Sequence, residues 1–166
     1  MAIKDALLPE WDHEMGTTRR LLERVPVGDF SWKPHDRSMS LGQLAGHLAN
    51  LPRWCTLILD DTKLDLASVG DDRRSREPES IDALLKEFDQ KASAARANLA
   101  QRSDAELTVP WTLTNEGHEV FTLPRMSAIR SFVLNHSIHH RGQLSVYLRL
   151  RNVSLPPIYG PTADEG

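Results

Sequence analysis

Seven histidines lie along the 166-residue chain, and His136, His139 and His140 fall within five residues of one another. Neutral imidazole is the commonest metal ligand among side chains. Two imidazoles at i and i+4, as His136 and His140 would be, share one helix face and can chelate a divalent ion. Zinc held by three protein ligands keeps a fourth position for water or substrate. Such an ion lowers the pKa of bound water toward neutrality, and it equally favours the thiolate of a bound thiol. Hydrolysis and thiol transfer are both open to a site of this kind. The other reading of these histidines is ordinary: hydrogen-bonded core residues, or half-exposed residues at the end of a helix bundle.

Other chemistries fit less well. The single cysteine, Cys55, excludes an intramolecular disulfide framework and a Cys-rich zinc site. Cys55 lies eight residues from His47, about 12 Å along a helix axis at ~1.5 Å per residue, so it reads as a small buried hydrophobe. Gly42 and Gly46 fall within a helical pattern and lack a P-loop lysine. Ser137 adjoins His136 but points elsewhere on a helix, which makes it a poor nucleophile.

The elements that must carry the histidines read as four helices. The first spans about Ile3 to Val25, with Trp11, Met15, Thr18 and Leu22 on one face. A punctuated loop follows over 26–39, anchored by Phe30 and Trp32. The second helix starts at Ser40, where Ser40-Leu41-Gly42-Gln43 has the form of a capping box. It continues through Leu44, Leu48, Leu51, Cys55 and Ile58, with a kink predicted at Pro52. Residues 61–79, centred on Asp71-Asp72-Arg73-Arg74, read as a solvated loop. The third helix runs from a Ser80 cap to about Arg102. Residues 107–122 favour a short β-hairpin turning at Asn115-Glu116-Gly117. The fourth helix runs from Pro124 to about Arg151, with Asn152 as a left-handed stop. The fold class expected is all-α: one domain over residues 1–166, an antiparallel helix bundle with one or two long crossovers and a short hairpin before the last helix.

At ~100° per residue, Met126, Ile129, Val133, Leu144 and Tyr147 cluster on one face of the fourth helix. His140 falls inside that cluster, His136 at its edge, and His139 on the flank. The same count turns His47 inward on the second helix. His13 is expected on the surface, and His35 and His118 in a loop and a turn. A ligand from a facing helix could complete a three-histidine set.

Twenty Lys and Arg against 23 Asp and Glu give a net charge of −3, which offers no support to a nucleic-acid partner. The first residues have no apolar stretch of signal-peptide type, and no apolar run is long enough to cross a bilayer. The expectation is a cytoplasmic protein without a membrane partner.

The stretches Ser31-Trp32-Lys33-Pro34-His35, Ser38 to Leu48, and His136-Ser137-Ile138-His139-His140-Arg141-Gly142-Gln143-Leu144 resemble the DinB-like family of metalloenzymes. The name denotes the damage-inducible bundle proteins, not the translesion polymerase. The tail Pro157-Ile158-Tyr159-Gly160-Pro161 is similar to the ends of close family members. The resemblance covers nearly the whole chain. It implies an up-up-down-down four-helix bundle and a divalent metal held by His47, His136 and His140. Imidazole suits zinc, nickel, copper and iron, and zinc and nickel are the ions expected here. The resemblance also implies a homodimer and a small-molecule substrate. Relatives include transferases and isomerases that use bacillithiol or mycothiol, so a low-molecular-weight thiol is an expected co-substrate. His139 and Gln143 are candidates to orient a ligand or line the mouth of the site. Lys33, His35, Arg53 and Arg141 are candidate polar contacts. The competing expectation is a metal-stabilised interaction protein without catalysis.

Overall fold

The computed structural model describes residues 2–73 and 76–165. In chain order its helices are α1 (Ile3–Leu22), α2 (Leu41–Asn50), α3 (Pro52–Asp60), α4 (Ile81–Ala100), α5 (Asp104–Thr108), α6 (Arg125–Ala128) and α7 (Asn135–Leu150), with a π-helical segment, Ile129–Leu134, joining the last two. Local chemistry sets the ends. The Ser40 hydroxyl accepts the Gln43 N–H at 3.1 Å, and the Gln43 amide oxygen accepts the Ser40 N–H at 2.9 Å. The Ser80 hydroxyl accepts the Ala83 N–H at the start of α4. Pro52 has no N–H to give, so one hydrogen-bond ladder stops and another begins while Leu51 stays helical (φ −55°). The kink predicted at Pro52 falls where the structure divides α2 from α3. Asn152, at φ 58°, ends α7 in the left-handed conformation.

Three strands form one small sheet in the order β1 (Lys63–Asp65), β2 (Pro110–Asn115) and β3 (His118–Pro124). β2 and β3 are the expected hairpin, closed by Glu116 (φ 53°) and Gly117 (φ 80°). Thr112 and Thr122 face each other across it, with their hydroxyls 2.8 Å apart. The all-α expectation is therefore corrected: the chain is mostly helical with a three-stranded sheet. β1 lies in residues expected to be solvated loop, and it pairs in parallel with the outer edge of β2. The Asp65 carboxylate explains why a polar segment docks there. It accepts N–H bonds from Ala67 (2.8 Å), Glu116 (3.0 Å) and Gly117 (2.7 Å), tying β1 to the hairpin turn. These bonds hold its carboxyl below the usual range. Leu66–Arg73 continues in 3₁₀ turns. Of the charged stretch expected to be loop, Arg74 lies outside the described residues.

Helix α4 packs against α1, α2 and α3, while α7 packs against α1 and α2. The core gathered between them includes Trp11, Leu22, Leu44, Leu48, Ile58, Phe88, Leu99, Trp111 and Leu144. Cys55 is buried there, and burial pushes its thiol pKa up, so it is an inert core residue as expected. Among the described residues no helix is long and apolar enough to cross a membrane.

Candidate metal centre

The π-helical segment decides where the last two arms of the cluster point. A uniform 100° turn places His136 and His140 on the stripe of Ile129 and Val133. In the structure that stripe continues through Ser137, Arg141, Leu144 and Leu148, all buried. The Asn135 N–H bonds to the Arg130 carbonyl, five residues back. A turn of this kind holds one residue more than an α turn, so the downstream stripe moves by one position. His136 and His140 are thereby set beside the core stripe, half-buried, instead of within it. Ser137 and Arg141 take the core positions.

The structure brings His47 from α2 together with His136 and His140 from α7. One ring nitrogen from each lies within 4.8 Å of the others. His47 Nε2 is 3.4 Å from His136 Nε2, and His136 Nε2 is 2.8 Å from His140 Nε2. For comparison, zinc–nitrogen bonds of ~2.0–2.1 Å in a tetrahedron put two nitrogens about 3.3–3.4 Å apart. The outer nitrogens are engaged. His140 Nδ1 is 2.7 Å from the Gln143 side-chain oxygen, to which it donates. His136 bonds to the backbone of Phe132, one turn earlier. When Nδ1 carries the proton on both rings, the two Nε2 lone pairs face each other, as in histidines that bind metal through Nε2. A cation between them satisfies both lone pairs, so the residues fit a divalent ion.

Electrostatics favour the neutral ligand form. Burial, followed by the neighbouring His140 and His136, lowers the pKa of His47 to about 4. Burial and then His140 lower that of His136 to about 4, opposed by its bond to Phe132. Burial lowers His140 as well, opposed by Gln143. All three imidazoles are neutral at pH 7 and ready to donate.

The other candidates separate clearly. Gln143 touches His140 directly, although it is itself exposed. His139 is exposed on the flank and meets His140 only ring to ring, with centroids 4.9 Å apart. Lys33, His35, His13 and His118 are exposed. Arg141 is turned away from the cluster and buried against α1. Its guanidinium donates to a Glu14 carboxylate oxygen at 2.6 Å, the Glu14 carbonyl at 3.0 Å and Thr18 Oγ1 at 3.3 Å. Tyr159 from the tail donates to the same carboxylate at 2.9 Å.

Sequence reasoning missed the surroundings of the cluster. A cavity of about 150 Å³ reaches His47 and His136, walled by Leu51, Trp54, Leu66 and Phe132 and edged by Asn50. Phe132 packs on His136 (centroids 5.9 Å) and on Phe121 of β3 (5.7 Å), so the sheet braces the site. Trp54 and Asn50 lie seven and three residues after His47, the helical spacings that reach the same side of that arm. That spacing was the one available signal.

A mostly helical chain that converges three neutral imidazoles from two arms defines a class: a helical protein with a candidate three-histidine metal centre. The sequence model of the DinB family matches residues 1–166, and the chain belongs to that family. It is 25% identical over 161 residues to the uncharacterized protein YrdA of Bacillus subtilis (strain 168), covering 97% of this chain and 90% of the relative. It is 26% identical over 144 residues to the uncharacterized protein YjoA of the same organism, covering 86% of each. The fold is shared with a DinB-like protein of Bacillus cereus ATCC 10987 (TM-score 0.74, 20% identity, 95% of this chain and 98% of that one). It is also shared with the crystal structure of B. subtilis YjoA (TM-score 0.70, 20% identity, 93% and 98%).

Proposed function

We propose that the protein is a divalent-metal-dependent enzyme in which His47, His136 and His140 hold the ion, zinc or nickel, and a water or low-molecular-weight thiol is the nucleophile. The observation that carries this reading is the convergence of three neutral ring nitrogens within 4.8 Å of one another beside a cavity. An ion so held keeps its full charge and lowers the pKa of water or thiol bound to it. Gln143 and the Phe132 backbone orient two of the rings, and the apolar wall keeps bulk water from one side of the cluster. Thiol-dependent S-transfer and hydrolysis are the reactions this arrangement serves. The helical arms form the up-up-down-down four-helix bundle of the family resemblance. A cytoplasmic homodimer acting on a small molecule, without nucleic acid or membrane partners, completes the proposal.

Elemental analysis and zinc and nickel titrations of the parent and His136→Ala test it, with thiol-transfer and ester-hydrolysis assays alongside. The expected result is about one ion per chain by the three-ligand rule, with ion and turnover both lost in the variant. Metal binding that raises the melting temperature without turnover of either substrate type would establish the non-catalytic, metal-stabilised bundle instead. A parent that binds neither ion overturns both.

A further inference from the structure

The cavity beside the histidines has a chemistry of its own. His47 and His136 close one end, while Leu51, Trp54, Leu66 and Phe132 make its walls. His140 does not line it, so the cavity approaches the cluster from one side. Trp54 and Phe132 meet edge to face, with centroids 5.2 Å apart and planes at 85°. Asn50 adds an amide whose oxygen is held by Lys91 Nζ at 2.7 Å. Among the described residues no Asp, Glu, Lys or Arg lines the cavity. A charged group entering it would lose its hydration and meet no counter-charge on the walls. An apolar group would leave water and gain ring-edge contacts. The volume of about 150 Å³ sets the scale. An engineered apolar cavity of about that size in another protein binds benzene.

We infer that this site selects its substrate by a compact, uncharged apolar group of about benzene size, seated against the wall that Trp54 and Phe132 form, with the reacting heteroatom toward His47 and His136. The apolar seat follows from the walls; the meeting of heteroatom and metal rests on the proposed function.

The test uses benzyl alcohol, benzoate and benzylamine with the metal-free protein, read by thermal shift and tryptophan fluorescence. Benzyl alcohol is expected to saturate the protein and raise its melting temperature, and the two charged isosteres to bind at least tenfold more weakly. Leu66→Trp fills the cavity from a half-buried position and should weaken benzyl alcohol at least tenfold with the circular dichroism spectrum unchanged. Should that variant fail to fold, Phe132→Ala enlarges the cavity and should improve binding of 2-naphthylmethanol at least tenfold. Benzoate binding as tightly as benzyl alcohol, or Leu66→Trp binding like the parent, overturns the inference. Zinc titration and benzyl mercaptan separate the two readings. Benzyl mercaptan binding at least tenfold tighter to zinc-loaded than to metal-free protein supports both. Zinc binding without benzyl alcohol binding overturns the apolar seat alone. Benzyl alcohol saturation without zinc binding leaves the seat standing and overturns the metal reading.

Discussion

Replacing Glu14 by glutamine tests the ion pair that anchors the arm carrying His136 and His140. The Glu14 and Arg141 side chains are 8% and 1% exposed, and they meet at 2.6 Å. Arg141 immediately follows His140, so this contact sets the rotation of α7 against α1. Removing one partner of a buried pair leaves the other charge without compensation and costs about 3–5 kcal/mol. Glutamine keeps one acceptor for Arg141 or Tyr159, which places Glu14→Gln near 3 kcal/mol on that scale. At about 2–4 °C per kcal/mol for a domain of this size, the melting temperature should fall by about 6–12 °C. The control is Asp12→Asn, which breaks the Arg96–Asp12 pair, half-exposed on both sides (48% and 46%). Such a surface pair contributes about 0–1 kcal/mol. Thermal melts at pH 7 by circular dichroism, with and without zinc, read both variants. Zinc affinity should fall in Glu14→Gln and hold in Asp12→Asn. The double replacement Glu14→Met with Arg141→Met should recover most of the stability, because neither charge is then left unpaired. A Glu14→Gln protein that melts with the Asp12→Asn control would refute the anchor.

Three further outcomes are expected. His47 and His136 have pKa values lowered to about 4, so the unfolded chain binds more protons than the fold between about pH 6.5 and 4. Metal-free stability should therefore fall as pH drops through that window, by about 2–4 kcal/mol in total after allowing for solvent screening. Zinc affinity should drop steeply only as pH approaches 4; a loss centred on pH 6.5 in either titration contradicts the buried neutral cluster. In Gly46→Ala the new Cβ would sit 2.2 Å from the Arg76 carbonyl oxygen, so the segment crossing α2 must move. The overpacking cost of about 1–3 kcal/mol should exceed alanine's helix preference of about 1 kcal/mol. Because His47 is the next residue, zinc affinity should fall with the melting temperature; a variant more stable than the parent refutes the close crossing. Ser40→Ala removes the N-cap of α2 and the hydroxyl that donates to Glu77 at 2.7 Å. It should cost about 1 kcal/mol in denaturant melts, and no change would refute a contribution from the cap.

The signals legible along the chain were local ones. Ser40, Ser80 and Asn152 mark helix ends because a cap is a contact within a few residues. The i,i+4 spacing of His136 and His140, and the apolar stripe holding His47, needed only helical periodicity. The DinB resemblance then joined the three, and the structure gathers their ring nitrogens. What escaped depends on contacts between residues distant in sequence, or on a break in the period itself. β1 reads as polar loop because its strand character comes from the open edge of β2 and from Asp65 bonding a turn 51 and 52 residues away. Arg141 reads as a substrate contact until Glu14, 127 residues earlier, is seen to hold it. The π turn is the sharpest case. A count at fixed pitch put His136 and His140 into the core, while the one additional residue over Ile129–Leu134 hands those positions to Ser137 and Arg141. Side-chain spacing alone determined which histidines share a face. Tertiary packing decided which way that face points, because the pitch of a helix yields to the neighbours it must fit.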